Sequence, residues 1–250
     1  MTAVFVHGVP ETGALWDRLR ARLGTASVAL RLPGFGAPLP DGFGSSMDEY
    51  VEWMEGELHE LNGPIDLVGH DWGGLLVARI ATRSRVTLRS WSVDVAGILH
   101  PAYVWHDIAQ LWQTPVSGEA WATATLEDTD PASPLSASGQ LRAAGAPEDD
   151  ARAMGESFDA TMASSVLALY RSATPNPFAR WGTELMSPTS TPGLVLHPTL
   201  DPFDGPASQV VAATLGAHFE PLEGLGHWWM LQDPATAAGV LEKFWADLGA

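Results

Sequence analysis

Short apolar runs rich in β-branched residues alternate along this chain with segments that carry apolar residues at helical spacing. The strand-like runs occupy residues 3–6, 28–32, 65–68, 91–95 and 193–196, with a weaker one at 218–222. The helical patterns between and after them occupy residues 16–23, 47–61, 75–82 and 235–248. Strands that alternate with helices pair in parallel and are covered by helices on both faces. The sequence therefore predicts an α/β fold with a mostly parallel sheet.

The alternation is interrupted once, between residues 98 and 186. This stretch has helical patterns at 107–113, 118–126, 138–145 and 148–171, and it has no strand signal. It is far longer than an ordinary loop between a strand and a helix. We therefore predict an α/β core formed by residues 1–97 and 187–250, with residues 98–186 inserted as a helical lid.

The charge balance and the absence of cysteine limit the function classes. Thirteen Lys and Arg residues stand against thirty Asp and Glu residues, which gives a formal net charge of -17. Nucleic acids and anionic membranes both bind concentrated positive charge, so neither partner is expected. The N-terminus lacks the basic start and apolar run of a signal peptide, which predicts a cytoplasmic protein. Without cysteine, a catalytic nucleophile must be an oxygen or a nitrogen.

The clearest local pattern is GHDWGG at residues 69–74, which follows a strand signal and opens a helical one. Small residues around a sharp turn between a strand and a helix are typical of a nucleophile elbow, here with Asp71 at its tip. A carboxylate can attack an electrophilic carbon and form an ester. The alternative is that Asp71 only caps the following helix.

The first strand signal ends in HGVP at residues 7–10. A glycine turn after a strand can direct a backbone N–H toward the elbow. The N–H groups of Val9 and Trp72 are therefore predicted to form an oxyanion hole. An ordinary turn at the end of a strand is the alternative.

A general base and its partner are predicted near the C-terminus. His227 lies on a Gly-flanked loop after the last strand signal, where a base could be placed. Asp201, after the preceding strand signal, could fix the imidazole tautomer, and Asp94 is a rival for that role. The order nucleophile, acid, histidine is typical of this architecture.

Together, HGVP, GHDWGG, LDPF at 200–203 and GHWWMLQDP at 226–234 resemble the Asp-nucleophile branch of the α/β-hydrolase superfamily. This branch contains soluble epoxide hydrolases, to which the resemblance is closest, and haloalkane dehalogenases. It implies an α/β-hydrolase fold. Neither a metal nor an organic cofactor is expected, because the sequence has no metal-ligand cluster and no Gly-rich phosphate loop. Members of this branch usually have two more strands before the HG-x-P turn, which begins here at residue 7. The resemblance therefore implies about six strands instead of the usual eight.

The two chemistries differ in what stabilises the leaving group. An epoxide oxygen leaves as an alkoxide and needs an acid, usually a Tyr of the lid, whereas a halide needs only N–H donors such as indoles. Tyr170 resembles one of the two ring-opening Tyr residues of epoxide hydrolases, with helix packing as its alternative role. Ile108 stands where the second Tyr is expected. The replacement donors left open are Tyr103, Trp105, His106 and Trp112.

The preferred hypothesis is hydrolysis of a small hydrophobic epoxide to a diol. The alternative is a haloalkane dehalogenase with Trp72 and a lid Trp as halide donors, the lid candidates being Trp105, Trp112 and Trp121. A ligand-binding protein without turnover is the hypothesis from a different class. The substrate pocket is predicted to include His7, Trp105, His106, Ile108, Trp112 and Trp228. The sequence leaves open whether the protein is a monomer or a homodimer.

Overall fold

The computed structural model describes residues 1–249 and shows one six-stranded sheet. The strand order is β2-β1-β3-β4-β5-β6, and every pairing is parallel. The strands are β1 (Thr2–Val6), β2 (Ser27–Ala29), β3 (Ile65–Gly69), β4 (Ser90–Val93), β5 (Gly193–Pro198) and β6 (His218–Leu222). The α/β-hydrolase fold class and the six strands predicted from the sequence are therefore confirmed.

Helices cover both faces of the sheet. The α-helices of the described chain are α1 (Asp17–Arg20), α2 (Met47–His59), α3 (Trp72–Arg83), α4 (Asp107–Gln113), α5 (Ser117–Glu127), α6 (Ala137–Ala143), α7 (Glu148–Glu156), α8 (Ala160–Ser172), α9 (Pro177–Trp181), α10 (Ala207–Leu215), α11 (Trp229–Gln232) and α12 (Pro234–Asp247). Short 3-10 turns add Gly13–Trp16, Ala96–Leu99 and Gly182–Met186. One apolar cluster joins α2, α3 and α10 to the sheet, and a second joins α1, α11 and α12 to its other face.

The central strands are buried along almost their whole length. Every residue of β3 and β4 is buried, and in β1 only Thr2 is partly exposed. These strands read as short continuous apolar runs because both of their faces meet helices. Their carboxyl ends lie at one edge of the sheet, the edge at which ligands bind in folds of this kind.

The chain between β4 and β5 is helical and carries α4 to α9. Helices α4, α5 and α8 continue the apolar cluster of α2 and α3, through Ala109, Trp112, Ala122, Val166 and Tyr170. Helices α6 and α7 contribute Leu141 and Ala151 to the other cluster. The segment therefore contributes to both apolar clusters.

Some element boundaries differ from the sequence prediction. The pattern at 148–171 forms two helices, because Asp159 caps a new helix by accepting a hydrogen bond from the backbone N–H of Met162 at 2.8 Å. The second strand is limited to Ser27–Ala29, and helix α10 was not predicted. Across residues 1–249, no helix combines the length and the apolar character needed to cross a bilayer.

Candidate active site

Asp71 occupies the sharp turn between β3 and α3. Its backbone has φ 50° and ψ -122°, a conformation that costs energy for a residue with a side chain. The surrounding glycines make the turn possible. A Cβ on Gly73 would overlap the carbonyl oxygen of Val6, and one on Gly69 would overlap the carbonyl of Gly73. The structure thus has the close packing of strand and helix that a nucleophile elbow requires.

The carboxylate of Asp71 is buried and partly satisfied by backbone donors. The N–H of Val9 donates to Oδ2 of Asp71 at 3.1 Å. Burial raises the pKa of Asp71 to about 6, although His227, His70 and the backbone N–H of Trp72 favour the ionised form. The two N–H groups predicted as an oxyanion hole therefore both stabilise charge on Asp71 itself. The cap interaction that was the alternative role of Asp71 is not made by its side chain.

His227 and Asp201 meet across the loops that follow β6 and β5. Nδ1 of His227 lies 2.8 Å from Oδ2 of Asp201, and the backbone N–H of Phe203 donates to the other carboxylate oxygen at 2.8 Å. Burial opposes charge on both groups. Their mutual attraction nevertheless lowers the pKa of Asp201 and raises that of His227.

Asp94, the rival partner for His227, is engaged elsewhere. Its Oδ2 lies 2.6 Å from Nδ1 of His70 and accepts a hydrogen bond from the indole of Trp229 at 2.5 Å. Its Oδ1 accepts from the backbone N–H of Asp71 at 2.8 Å. Asp94 therefore supports the elbow, and the structure places Asp201 against His227.

Sequence reasoning missed a buried charge cluster behind the elbow. Oε1 of Glu11 lies 3.3 Å from Nε2 of His70 and accepts from the indole of Trp228, while Oε2 accepts from the N–H of Gly8. Burial opposes the charge of Glu11, but the ion pair with His70 lowers its pKa to about 2. The pKa of His70 is raised well above its usual value because Asp94 and Glu11 outweigh its burial. In the sequence, Glu11 directly follows HGVP and His70 directly precedes Asp71. These positions next to the two motifs were the only signals from which the cluster could have been predicted.

Donor atoms of Glu11, His70 and His227 lie within 4.8 Å of one another, a spacing that could hold a metal ion. The chemistry of the set does not fit this role. Both nitrogens of His70 face carboxylates, which favour the protonated ring, and Nδ1 of His227 is paired with Asp201. A metal needs deprotonated histidine ligands. We therefore interpret the set as a buried ion-pair cluster.

A chamber of about 110 Å³ opens beside Asp71 and His227. Most of its lining is apolar or aromatic, as in sites for small hydrophobic molecules. Loops at the sheet edge contribute Val9, Pro10, Asp71, Phe203, His227 and Trp228 to its wall. The segment between β4 and β5 contributes His106, Ile108, Trp112, Trp121, Thr125, Ala137, Gln140, Leu141, Ala144, Phe158 and Tyr170.

Two of the residues predicted for the pocket lie elsewhere. His7 is fully buried, with Nδ1 2.7 Å from the carbonyl of Gly8 and Nε2 accepting from the N–H of Leu32 at 3.2 Å. Trp105 stacks on Trp72 outside the chamber wall. The other predicted pocket residues, His106, Ile108, Trp112 and Trp228, line the chamber.

The aromatic donors around the chamber differ in whether their N–H or O–H group already donates a hydrogen bond within the protein. The indole of Trp105 donates to the carbonyl of Ala173 at 3.2 Å, and that of Trp121 donates to Oε1 of Gln140 at 2.8 Å. The indole nitrogens of Trp72 and Trp112 are buried and have no hydrogen-bond partner within residues 1–249. Both rings pack edge-on against Tyr170, with ring centroids 5.3 and 4.7 Å away.

Tyr170 lies in the last turn of helix α8 and contributes to the chamber wall. Burial, together with the charge of Asp71, raises the pKa of Tyr170 well above its usual value. The phenol is therefore protonated at neutral pH. Tyr103 packs edge-on against Trp105 and does not line the chamber.

Comparisons with known proteins agree with this architecture. Residues 3–240 match the model of the Alpha/beta hydrolase family, so the chain belongs to that family. It is a hydrolase of the α/β-hydrolase superfamily. No curated protein has a significant sequence match to this chain.

Solved structures show the same fold at low identity. A haloalkane dehalogenase from Bradyrhizobium elkani is 19% identical, with a TM-score of 0.72 over 98% of this chain and 91% of that chain. A Bacillus megaterium epoxide hydrolase in complex with an inhibitor is 17% identical, with a TM-score of 0.73 over 98% and 93%. The thioesterase domain from the curacin biosynthetic pathway is 18% identical, with a TM-score of 0.67 over 96% and 90%.

Proposed function

We propose that the protein hydrolyses a small hydrophobic epoxide to a diol through a covalent ester on Asp71. The observation that carries this proposal is that the phenol of Tyr170 lines the same chamber as Asp71 and His227. A nucleophile, a base and a protonated acid thus share one apolar space. Residues 98–186 are proposed as the cap that closes this space over the core formed by residues 1–97 and 187–250.

In the first step, a carboxylate oxygen of Asp71 attacks an epoxide carbon. The new C–O ester bond forms as the ring C–O bond breaks, and the electron pair of the broken bond goes to the leaving oxygen. That oxygen takes a proton from Tyr170, whose raised pKa keeps this proton available. The product is a hydroxyalkyl ester of Asp71 and a tyrosinate.

In the second step, His227 removes a proton from water, and the hydroxide adds to the ester carbonyl of Asp71. The N–H groups of Val9 and Trp72 stabilise the oxyanion. Collapse breaks the ester C–O bond, and the proton of the added hydroxyl passes to the leaving alkoxide, which gives the diol and the carboxylate of Asp71. The proton on His227 returns to the tyrosinate of Tyr170 through the solvent of the site. Esterification neutralises Asp71, whose charge helps to raise the pKa of His227. The base therefore loses its proton more easily at the step in which it acts.

The proposal is tested by the Tyr170→Phe variant with styrene oxide as substrate. Loss of a general acid should lower diol formation by about 10²-fold or more. Tyr50→Phe is the matched control, because the Tyr50 hydroxyl donates to the carbonyl of Pro33 at 2.8 Å outside the chamber. Unchanged epoxide turnover in Tyr170→Phe would contradict the proposed role of Tyr170.

Haloalkane dehalogenation is a second candidate, favoured by the unpartnered indole N–H groups of Trp72 and Trp112. Two such donors could bind a leaving halide. Both nitrogens are buried, however, so a halide could reach them only if the side chains rearranged. Because of this requirement, we prefer epoxide hydrolysis to dehalogenation as the proposed function.

A side-by-side assay separates the candidates. Wild-type protein is incubated with styrene oxide and with 1-bromobutane, and diol and bromide are measured. Diol as the main product supports epoxide hydrolysis, whereas bromide supports dehalogenation. Neither product, with binding of both compounds, would support a ligand-binding protein without turnover.

A further inference from the structure

The oxygen that leaves a three-membered ring develops negative charge and can accept more than one hydrogen bond. Tyr170 supplies one donor to the chamber. The sequence left four other residues open as a second donor, and the structure distinguishes among them. The indole of Trp105 is bonded to a carbonyl, Tyr103 lies off the chamber wall, and the indole nitrogen of Trp112 is buried. His106 is the remaining candidate.

The position of His106 in the fold fixes its tautomer. It is the N-cap of α4, and its Nδ1 accepts a hydrogen bond from the backbone N–H of Ala109 at 3.4 Å. An acceptor nitrogen carries no proton in a neutral imidazole. The proton therefore lies on Nε2, the ring nitrogen that does not cap the helix, and His106 is one of the residues that line the chamber.

Aromatic contacts hold the ring close to the catalytic base. The ring centroid of His106 lies 4.8 Å from that of Phe203, which lies 4.9 Å from that of His227. The other side of His106 packs edge-on against Trp112, which contacts Tyr170. His106 thus lies on the chamber wall between the loops of the base and the helix of the phenol.

The charge state of His106 suits a donor that does not lose its proton. Burial, reinforced by the nearby His227, lowers the pKa of His106 to about 4. The imidazole is therefore neutral at neutral pH. A neutral imidazole N–H can stabilise a developing oxyanion by hydrogen bonding, as the catalytic histidine of triosephosphate isomerase does.

We propose that His106 is a second catalytic residue, whose Nε2–H donates a hydrogen bond to the leaving epoxide oxygen beside Tyr170. This inference rests on the proposed epoxide hydrolysis. His106 exchanges no proton in the reaction. The leaving oxygen takes its proton from Tyr170, and His106 lowers the energy of the charge that develops before that transfer.

Two substitutions separate the donor role of His106 from its capping role. In His106→Asn, the amide oxygen replaces Nδ1 as the helix cap, because Asn is a strong N-cap residue, but no donor reaches the place of Nε2. In His106→Gln, the amide N–H can reach that place. Asp159→Asn, which keeps an N-cap residue on the exposed start of α8, is the control for changes at a helix cap.

The experiment follows the Asp71 ester after mixing with excess styrene oxide, by rapid quenching and mass spectrometry. We expect His106→Asn to slow ester formation by about 10²-fold, the usual effect of losing one oxyanion donor. Hydrolysis of the accumulated ester should be unchanged, and His106→Gln and Asp159→Asn should form the ester at a rate near that of the wild type.

Ester formation at the wild-type rate in His106→Asn would overturn the inference, and so would equal slowing of both steps, which indicates a structural role. These outcomes require a wild-type protein that converts the epoxide. If the wild-type protein forms no ester with styrene oxide, the proposed function itself fails, and the role of His106 fails with it.

Discussion

Nδ1 of His227 lies 2.8 Å from Oδ2 of Asp201, although the two residues come from loops after different strands. This pairing predicts that Asp201→Asn impairs the second step of the reaction more than the first. The amide loses the charge that supports a protonated His227, so hydrolysis of the ester should slow by about 10²- to 10⁴-fold. Single-turnover kinetics would show an ester that forms at a normal rate and persists.

Asp94→Asn is the informative comparison, because Asp94 contacts His70 and the elbow instead of His227. It should disturb ester formation as well as hydrolysis. Selective loss of hydrolysis in Asp94→Asn, with normal hydrolysis in Asp201→Asn, would reverse the assignment of the two carboxylates.

The pKa of Asp71 predicts the pH dependence of ester formation. Burial raises this pKa to about 6, and only the ionised carboxylate is a good nucleophile. The single-turnover rate should therefore rise as pH increases through about 6 and level off above it. In His227→Gln the midpoint should move to higher pH, because the positive charge that favours the carboxylate is removed. A midpoint near 4, typical of an exposed Asp, would contradict the burial argument.

Two glycines in helices test the packing of the elbow. Gly73→Ala should lower the free energy of unfolding by about 1–3 kcal/mol, because the added Cβ would overlap the carbonyl oxygen of Val6. Gly56 lies in α2 with no atom near the position of an added Cβ. Gly56→Ala should therefore raise that free energy by about 0.5–1 kcal/mol. Urea unfolding of both variants measures the difference, and equal effects would contradict the close approach at Gly73.

A hydrogen-bonded part of the chamber wall should limit substrate length. Gln140 accepts from the indole of Trp121 and donates to the hydroxyl of Thr125 at 2.9 Å, so these polar groups satisfy one another. The chamber has a volume of about 110 Å³, so a long alkyl chain bound beside Asp71 would press against this wall. Gln140→Ala should therefore increase kcat/KM for 1,2-epoxyoctane relative to 1,2-epoxybutane by about 10-fold or more, the effect of one or more methylenes. An unchanged ratio would show that this wall does not set the length limit.

The fold could be predicted because hydrophobic runs and helical spacing are local signals. The candidate site could be predicted in outline because Val9, Asp71, Asp201 and His227 each follow a strand, and the carboxyl ends of parallel strands share one edge. The supporting contacts could not be predicted in the same way. Glu11 and His70 pair because β1 and β3 are neighbours in the sheet, a relationship that sequence spacing does not contain.

The pocket residues show the same limit. His7 lies next to the predicted oxyanion turn, yet its side chain points into the core and bonds to the backbone of Leu32. Trp105 and His106 are adjacent in sequence, but only His106 lines the chamber. Which of two neighbouring side chains reaches a cavity depends on the direction of the backbone at the start of α4, which the sequence pattern does not determine.

The most direct test of the account is mass spectrometry of His227→Gln after incubation with styrene oxide. Without the base, the ester should form and accumulate, so the peptide that contains Asp71 should gain the mass of one substrate molecule. An Asp71→Asn, His227→Gln double variant should remain unmodified. An unmodified Asp71 peptide in His227→Gln, from a protein whose wild type converts the epoxide, would contradict covalent catalysis by Asp71.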